Sequence, residues 1–149
     1  MSIPNFELSI DNGTTISDSD IKIGKVILFS YPKAFTPGCT KEVCSIRDYF
    51  AEIKTKGIKV FGISADSIEK NKKFSEEYNL PYPLICDEEK VLLSALGMYG
   101  EKKLYGKVSV GILRQIIFFK DGEEVKRVKG VKTAVSGEQI LKNAEKIGW

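Results

Sequence analysis

The sequence predicts an α/β fold in which a central mixed β-sheet is flanked by helices and preceded by an N-terminal β-hairpin. Apolar runs of strand length alternate with segments of helical periodicity, which is typical of βαβ units. Near the C-terminus, an Asp121-Gly122 turn signal joins two strand-like segments, and a further helical segment follows. A chain of 149 residues has the size of one domain, so we expect a single domain over residues 1–149.

The first elements are predicted to form a hairpin and then a βαβ unit. An Asn12-Gly13 turn signal ends a segment of alternating apolar and polar residues, whose apolar positions are Phe6, Leu8 and Ile10. Residues 25–30 and 58–64 are apolar runs of strand length. The segment between them predicts a helix that ends near Lys56-Gly57, since glycine commonly follows a helix.

The middle of the chain predicts two helices and one more strand. Asp66 and Glu69 have the spacing of a capping box, which would open a helix that runs to about Tyr78. Two prolines frame the next strand. A short helix around residues 88–96 then precedes a loop that contains glycine and lysine.

The last part of the chain predicts a hairpin and a final helix. Residues 115–120 and 123–129 flank the Asp121-Gly122 turn, and Ser136 with Gln139 fits a capping box that opens the helix. This order of elements matches the thioredoxin-like fold. In open sheets of this kind, chemistry is placed where a strand ends and a helix begins.

Composition argues against several classes of function. The net charge is +3, from 23 basic and 20 acidic residues, and no basic block is interleaved with aromatic residues, so we expect neither a nucleic-acid partner nor a membrane partner. No apolar run reaches the ~18 residues of a membrane span, and the N-terminus lacks the pattern of a signal peptide. We therefore expect a cytoplasmic protein whose three cysteines are reduced, catalytic or metal-bound.

The absence of histidine restricts the chemistry further. Without histidine, three cysteines cannot complete the usual zinc ligand set, so we expect no metal and no cofactor. A Cys-His pair is excluded as well, which disfavours a cysteine protease or acyltransferase. An activated cysteine must rely on a helix dipole, backbone amides and arginine or lysine.

Cys39 lies where a helix favours a thiolate. Thr36 is a good N-cap and Pro37 suits the first helical position, which puts Cys39 in the first turn. Unpaired N–H groups and the positive end of the dipole stabilise an anion there. The alternative is a buried cysteine that acts as a small apolar residue, but other residues supply the apolar stripe of this helix. They are Val43, Ile46, Phe50 and Ile53.

The segment around Cys39 resembles the active site of the peroxiredoxins. In that family a proline, three residues, a threonine and two residues precede the reactive cysteine, and Pro32, Thr36 and Cys39 match this spacing. The continuation over residues 37–48 is similar to the bacterioferritin comigratory protein or peroxiredoxin Q subgroup. The resemblance covers nearly the whole chain, including a predicted loop over residues 99–106 and the segment 111–114.

The resemblance implies that Cys39 attacks a peroxide oxygen and becomes a sulfenic acid. Thr36 would orient the peroxide and Pro32 would shield the site from water. Arg114, reached from a later strand, would stabilise the thiolate and the transition state. From the residues alone, Arg114 also fits a solvated charge at a strand end, and Thr36 also fits a plain helix cap.

Cys44 follows Cys39 by five positions and corresponds, by the same resemblance, to a resolving cysteine. Two helical residues five apart have Cα atoms about 8 to 9 Å apart. A disulfide tolerates at most ~7 Å. An intramolecular bond therefore requires the first turns of the helix to unwind. The alternative for Cys44, less favoured than the resolving role, is a second small core residue on the helix.

Two other positions bear on the chemistry. Cys86 has the neighbours of a short buried strand, so we interpret it as a core residue, with the role of an alternative resolving partner as the other option. Phe35 stands where the subgroup often has a polar residue, which predicts a more apolar site mouth and a preference for bulky hydroperoxides. The subgroup's usual histidine is missing from residues 131–134, and we assign no catalytic role to that position.

The function implied by the resemblance is reduction of hydrogen peroxide and organic hydroperoxides, with a thioredoxin-like or glutaredoxin-like dithiol as reductant. A disulfide oxidoreductase is disfavoured because it usually has its two cysteines two residues apart. A redox sensor or chaperone-like binding module, which would react slowly with peroxide, is the non-enzymatic alternative. Resolution within one chain needs no partner subunit, so a monomer is favoured over a dimer.

Overall fold

Helices cover both faces of a mixed β-sheet in the computed structural model, which describes the backbone of residues 1–149 and every side chain except that of Leu104. The strands are β1 (Glu7–Ile10), β2 (Thr15–Ser17), β3 (Lys25–Ser30), β4 (Ile58–Ser64), β5 (Leu84–Cys86), β6 (Tyr99–Leu104), β7 (Lys107–Ile112), β8 (Ile116–Lys120) and β9 (Glu123–Val128). The helices are α1 (Asp18–Ile21), α2 (Pro37–Asp48), α3 (Phe50–Thr55), α4 (Ile68–Tyr78), α5 (Val91–Ala95) and α6 (Ser136–Lys146).

The main sheet has the strand order β2-β1-β5-β4-β3-β8-β9. Strands β3, β4 and β5 are parallel neighbours, whereas β1, β2, β8 and β9 pair antiparallel. The central strand β3 is apolar along nearly its whole length because both of its faces are buried. The predicted mixed sheet and N-terminal hairpin are confirmed.

The core divides into one cluster on each face of the sheet. Helices α2, α3, α4 and α6 contribute to the first cluster, which contains Cys39, Val43, Ile46, Ile53, Phe74 and Ile140. Helices α1 and α5 contribute to the second, which contains Ile21, Leu92 and Leu93. Alternate residues of β3 supply both clusters, as expected for a strand whose successive side chains point to opposite faces.

The predicted single helix from Cys39 to Gly57 is interrupted at Tyr49, which separates α2 from α3. The N–H of Tyr49 donates to the Ile46 carbonyl, so the last turn tightens. The phenol of Tyr49 donates to Glu138 at 3.0 Å. The break therefore lies at a residue that contacts the start of α6.

The predicted loop around residues 99–106 is instead a strand. It pairs with β7 as a two-stranded sheet separate from the main one. Tyr105 and Gly106 form the two-residue turn between β6 and β7. Both have positive φ (51° and 77°), as the favoured type of this turn requires. The strand β6 is largely polar and lacks the apolar alternation of a strand, whereas Val108, Val110 and Ile112 do alternate with other residues along β7.

Two predicted helix caps differ in detail. The helix α4 begins after Ser67, whose side chain accepts from the N–H of Lys70. Asp66 instead accepts from the N–H of Ala34 at 2.8 Å. Ser136 is the first residue of α6 rather than its cap. In both cases the expected capping side chain, Asp66 or Ser136, bonds to another part of the chain.

Among the described residues, no helix is long and apolar enough to cross a membrane.

Candidate active site

The segment between β3 and α2 carries Pro32, Thr36 and Cys39, which the structure brings to the carboxyl end of the sheet. Ala34 is anchored there by the carboxylate of Asp66, which follows β4. Phe35 adopts the left-handed conformation, with φ of 67°, and its exposed ring packs 5.0 Å from that of Phe74. The turn before α2 is therefore held by the hydrogen bond to Ala34 and by the packing of Phe35 on Phe74.

Thr36 occupies the predicted N-cap position, but its hydroxyl does not cap the helix. The hydroxyl donates instead to the carbonyl of Lys33 at 2.6 Å. Its backbone carbonyl accepts from Thr40 at 2.9 Å, which is the first bond of the helical ladder. A hydroxyl that donates to the backbone still has lone pairs that can accept a hydrogen bond from a bound molecule.

Cys39 lies in the first turn of α2 and is 1% exposed. The guanidinium of Arg114 reaches it from the other side, with Nη2 at 3.5 Å from Sγ. Gly38 permits this approach, because a Cβ there would stand 3.3 Å from Nη2. The cysteine thus meets a fixed positive charge and the positive end of a helix dipole, and both favour a thiolate.

Arg114 itself lies in the short connection between β7 and β8 rather than on the strand that the sequence predicted for it. Its other terminal nitrogen, Nη1, donates to Glu42 Oε1 at 2.5 Å. The two terminal nitrogens of the Arg114 guanidinium therefore bind the Cys39 sulfur and the Glu42 carboxyl group. The Arg114 side chain is partly buried.

Glu42 is a part of the site that the sequence did not suggest. It lies one helical turn after Cys39, is 0% exposed, and has one oxygen, Oε2, without a hydrogen-bond partner among the described residues. Burial raises the pKa of Glu42 to about 8, although Arg114 opposes the shift. The available signal was an acidic residue on the same helical face as Cys39.

Lys102 is a second residue that the sequence did not suggest. It reaches toward the site from β6 and packs against Gly111, where a Cβ would meet Nζ at 3.5 Å. Burial and the neighbouring Arg114 lower the pKa of Lys102, whereas Cys39 raises it. Lys102 therefore adds a second cation near Cys39, and its position depends on a pair of strands that the sequence did not predict.

Cys44 lies in α2 together with Cys39 and is partly exposed. Burial raises the pKa of the Cys44 thiol. Both cysteines are free thiols, and a continuous helix separates them. The requirement that α2 unwind before they can bond therefore applies to the structure as observed.

Side chains from two other segments hold the middle of α2. The phenol of Tyr82 donates to the Val43 carbonyl at 2.6 Å. The hydroxyl of Ser136 donates to the Glu42 carbonyl at 3.1 Å. These bonds anchor the middle of α2, while the turn that carries Cys39 is held mainly by Arg114 and by helix bonds.

Cys86 ends β5 and is buried, in agreement with its interpretation as a core residue. Its sulfur accepts from the Asn71 amide at 3.3 Å, and Asn71 accepts from the phenol of Tyr31 at 2.6 Å. Burial raises the pKa of Cys86.

The described residues contain no cluster of three or more Cys, Asp or Glu side chains that could hold a metal ion.

Comparisons with known proteins agree with this geometry. The model of the AhpC/TSA family matches residues 1–128. A putative peroxiredoxin Bcp of Coxiella burnetii is 40% identical over 134 residues, which cover 90% of this chain and 88% of that protein. The peroxiredoxin Bcp of Bacillus subtilis is 39% identical over 130 residues, which cover 87% and 83%.

Solved structures give the same result. A cysteine-to-serine mutant of Xanthomonas campestris peroxiredoxin Q superposes with a TM-score of 0.87 at 29% identity, covering 96% of this chain and 92% of that one. The Mycobacterium tuberculosis peroxidoxin BcpB superposes with a TM-score of 0.85 at 29% identity, covering 100% and 97%. The chain belongs to the AhpC/TSA family, and its relatives and structural neighbours are peroxiredoxins of the Bcp and peroxiredoxin Q type.

Proposed function

We propose that this peroxiredoxin reduces hydrogen peroxide and organic hydroperoxides with Cys39 as the nucleophile and Cys44 as the resolving thiol. The observation that carries the proposal is the contact between Arg114 and Cys39 at the N-terminus of α2. A cation and a helix dipole that converge on one sulfur provide a nucleophile without a histidine base.

In the first step, the Cys39 thiolate attacks the terminal oxygen of the peroxide. A sulfur–oxygen bond forms, the oxygen–oxygen bond breaks, and the leaving oxygen departs with the electron pair and takes up a proton as water or an alcohol. Arg114 has further N–H groups beyond those on Cys39 and Glu42, and they can stabilise the charge that develops on the leaving oxygen.

Thr36 orients the peroxide as an acceptor. Its own hydrogen is directed at Lys33, so the hydroxyl oxygen is available for the O–H of the bound peroxide. This role differs from donation to the ligand, for which the hydroxyl would have to give up a 2.6 Å bond. Pro32, which is partly buried before the turn, limits the access of water to Cys39.

In the second step, the Cys44 thiolate attacks the sulfur of the Cys39 sulfenic acid. A sulfur–sulfur bond forms, the sulfur–oxygen bond breaks, and the leaving hydroxide takes up a proton as water. The first turns of α2 unwind to permit it. A thioredoxin-like or glutaredoxin-like dithiol then reduces the disulfide. Because both thiols belong to one chain, we propose a single-domain monomer that acts in the reducing cytoplasm.

We propose that larger hydroperoxides bind beside Phe35. Phe35 is 44% exposed and presents an apolar ring that packs on the buried Phe74 and on Tyr78, at ring-centroid distances of 5.0 and 6.5 Å. A structural relative, the Xanthomonas campestris bacterioferritin comigratory protein, is described by its alkyl peroxide reduction activity. We propose that alkyl and aryl hydroperoxides are substrates of this chain as well.

Steady-state peroxide consumption with a panel of dithiol donors tests the proposed function. The wild-type protein is expected to turn over with at least one donor, and Cys39→Ser to be inactive with all of them. Cys44→Ser is expected to consume about one equivalent of peroxide and then to stop, since the sulfenic acid has no internal partner. Continued turnover by Cys39→Ser would refute the assignment of the nucleophile.

A further inference from the structure

Glu42 is the buried ionisable group whose surroundings must change most when Cys39 and Cys44 join. It lies between them in α2, three residues after the first and two before the second. The α-helix holds the two cysteines about 8 to 9 Å apart, so the residues between them must leave the helix for the bond to form. Glu42 cannot keep its burial through that change.

The folded site holds the carboxyl group incompletely bonded. Oε1 accepts from Arg114 at 2.5 Å, and Oε2 has no partner among the described residues. A buried carboxylate with one unbonded oxygen is costly, whereas a neutral carboxyl group is much less so. Arg114 supplies one cation, which is also shared with Cys39.

The groups that face Glu42 come from each element packed against it. Arg114 comes from the connection before β8, and Cys39 from α2 itself. Burial raises the pKa of the Tyr82 phenol, which lies close enough to Glu42 that a negative charge on Glu42 would raise it further. Lys102 acts on Arg114 from β6. The arrangement thus combines a buried acid, one shared cation and the helical turn that must open.

We propose that Glu42 couples the opening of α2 to a proton: its neutral carboxyl group holds Arg114 beneath the closed first turns, and unwinding for the Cys39–Cys44 bond exposes it to water with the release of one proton. This inference rests on the proposed function. The accompanying reaction is balanced, because sulfenic acid and thiol give a disulfide and water while the carboxyl group gives a carboxylate and H⁺. No further oxidant or reductant is needed.

The direction of the pH effect follows from linkage. Burial raises the pKa of Glu42 to about 8 in the closed site, whereas an exposed glutamate has a pKa of ~4.3. The stabilisation of the closed form by Glu42 is therefore fully present below about pH 4.3 and is lost as the pH rises through about 8. Between these values, opening becomes about tenfold more favourable per pH unit.

The function of such a coupling is to set how long the sulfenic acid stays in the closed site. Acidic conditions retain it there, where a second peroxide can oxidise it to a sulfinic acid. Alkaline conditions favour unwinding and disulfide formation. Glu42 is thus a positioning residue that acts through Arg114 and the helix rather than through the substrate.

The midpoint potential of the Cys39–Cys44 couple, measured from about pH 5.5 to 7.5 in dithiol redox buffers, tests the proposal. One extra proton per two electrons is a tenfold change in the equilibrium constant, or 29.6 mV, per pH unit. The wild-type slope is expected to exceed that of Glu42→Gln by this amount. Glu52→Gln, which removes an exposed glutamate on α3, is expected to keep the wild-type slope.

Equal slopes for wild type and Glu42→Gln would overturn the proposal, whereas failure to form any Cys39–Cys44 disulfide would overturn the proposed resolution step. If Glu42→Gln does not fold, the wild-type protein alone decides. Its oxidised-minus-reduced infrared difference spectrum at about pH 6.5 is expected to lose the band of a protonated carboxyl group and to gain carboxylate bands. A difference spectrum without these bands would contradict the coupling.

Discussion

Arg114 Nη2 lies 3.5 Å from Cys39 Sγ, although the two residues are 75 positions apart in the chain. The contact exists because the connection between β7 and β8 crosses the start of α2, where Gly38 leaves room for the guanidinium. Because the same guanidinium binds Glu42, one arginine joins the nucleophile to the interior of its own helix.

Replacing Arg114 with glutamine is expected to lower the rate constant for the reaction with hydrogen peroxide about 100- to 1,000-fold, since a donor to the developing charge is lost. Stopped-flow measurement of Cys39 oxidation gives this constant directly. The control is Lys103→Gln, which removes an exposed positive charge from β6 and is expected to change the rate less than about twofold. If the rate constant of Arg114→Gln stays within about twofold of the wild-type value, Arg114 has no role in the first step.

Substituting Thr36 separates its hydroxyl from its position in the chain. Thr36→Ser keeps the hydroxyl and is expected to retain peroxidase activity near that of the wild type. Thr36→Val keeps the shape and is expected to lose about 100-fold in kcat/KM, because the peroxide then lacks its acceptor. Equal activity of the two variants would contradict the role of the Thr36 hydroxyl in peroxide binding, and Thr36 would then serve only to start the helix.

Phe35 is expected to determine preference among peroxides. Phe35→Asn removes the ring and suits the left-handed backbone at φ of 67°. The ratio of kcat/KM for cumene hydroperoxide to that for hydrogen peroxide is expected to fall about 3- to 10-fold, the equivalent of one aromatic contact. The value for hydrogen peroxide serves as the internal control. An unchanged ratio would show that Phe35 lies outside the path of the substrate.

Gly137 fits α6 against α2 and tolerates no side chain. A Cβ there would lie 2.5 Å from the carbonyl oxygen of Ser45 and 2.7 Å from the ring of Tyr49. Gly137→Ala is expected to lower the free energy of unfolding by about 1 to 3 kcal/mol, measured by urea denaturation. Gly130→Ala, where a Cβ meets nothing within 4 Å, is the matched control and is expected to stay within about 0.5 kcal/mol of the wild type.

The local features of the site were predictable from the sequence. The run of residues that forms β3, the Thr36-Pro37 helix start and the position of Cys39 in the first turn depend on neighbours in the chain, and the structure confirms them. The N-terminal hairpin and the turn at Asp121-Gly122 were predictable for the same reason.

The predictions that failed concern contacts between residues that are distant in sequence. The Thr36 hydroxyl bonds to Lys33 instead of capping α2, and Ser136 bonds to Glu42 instead of capping α6. Glu42 belongs to the site because it binds Arg114, and Lys102 because it lies near Arg114 and Cys39 in space. Glu42 shares a helical face with Cys39, but its bond to Arg114, which lies 72 positions later, has no local signal in the chain and emerges only from the tertiary arrangement.

The central claim is that Cys39 reacts with peroxide and is resolved by Cys44 of the same chain. Peptide mass analysis under non-reducing conditions, after one equivalent of hydrogen peroxide, tests it most directly. Trypsin cleaves after Lys33, Lys41 and Arg47, so the account predicts that peptides 34–41 and 42–47 are joined by a disulfide in a monomeric protein. Recovery of peptide 34–41 with a free thiol, or only of chains linked as dimers, would contradict it.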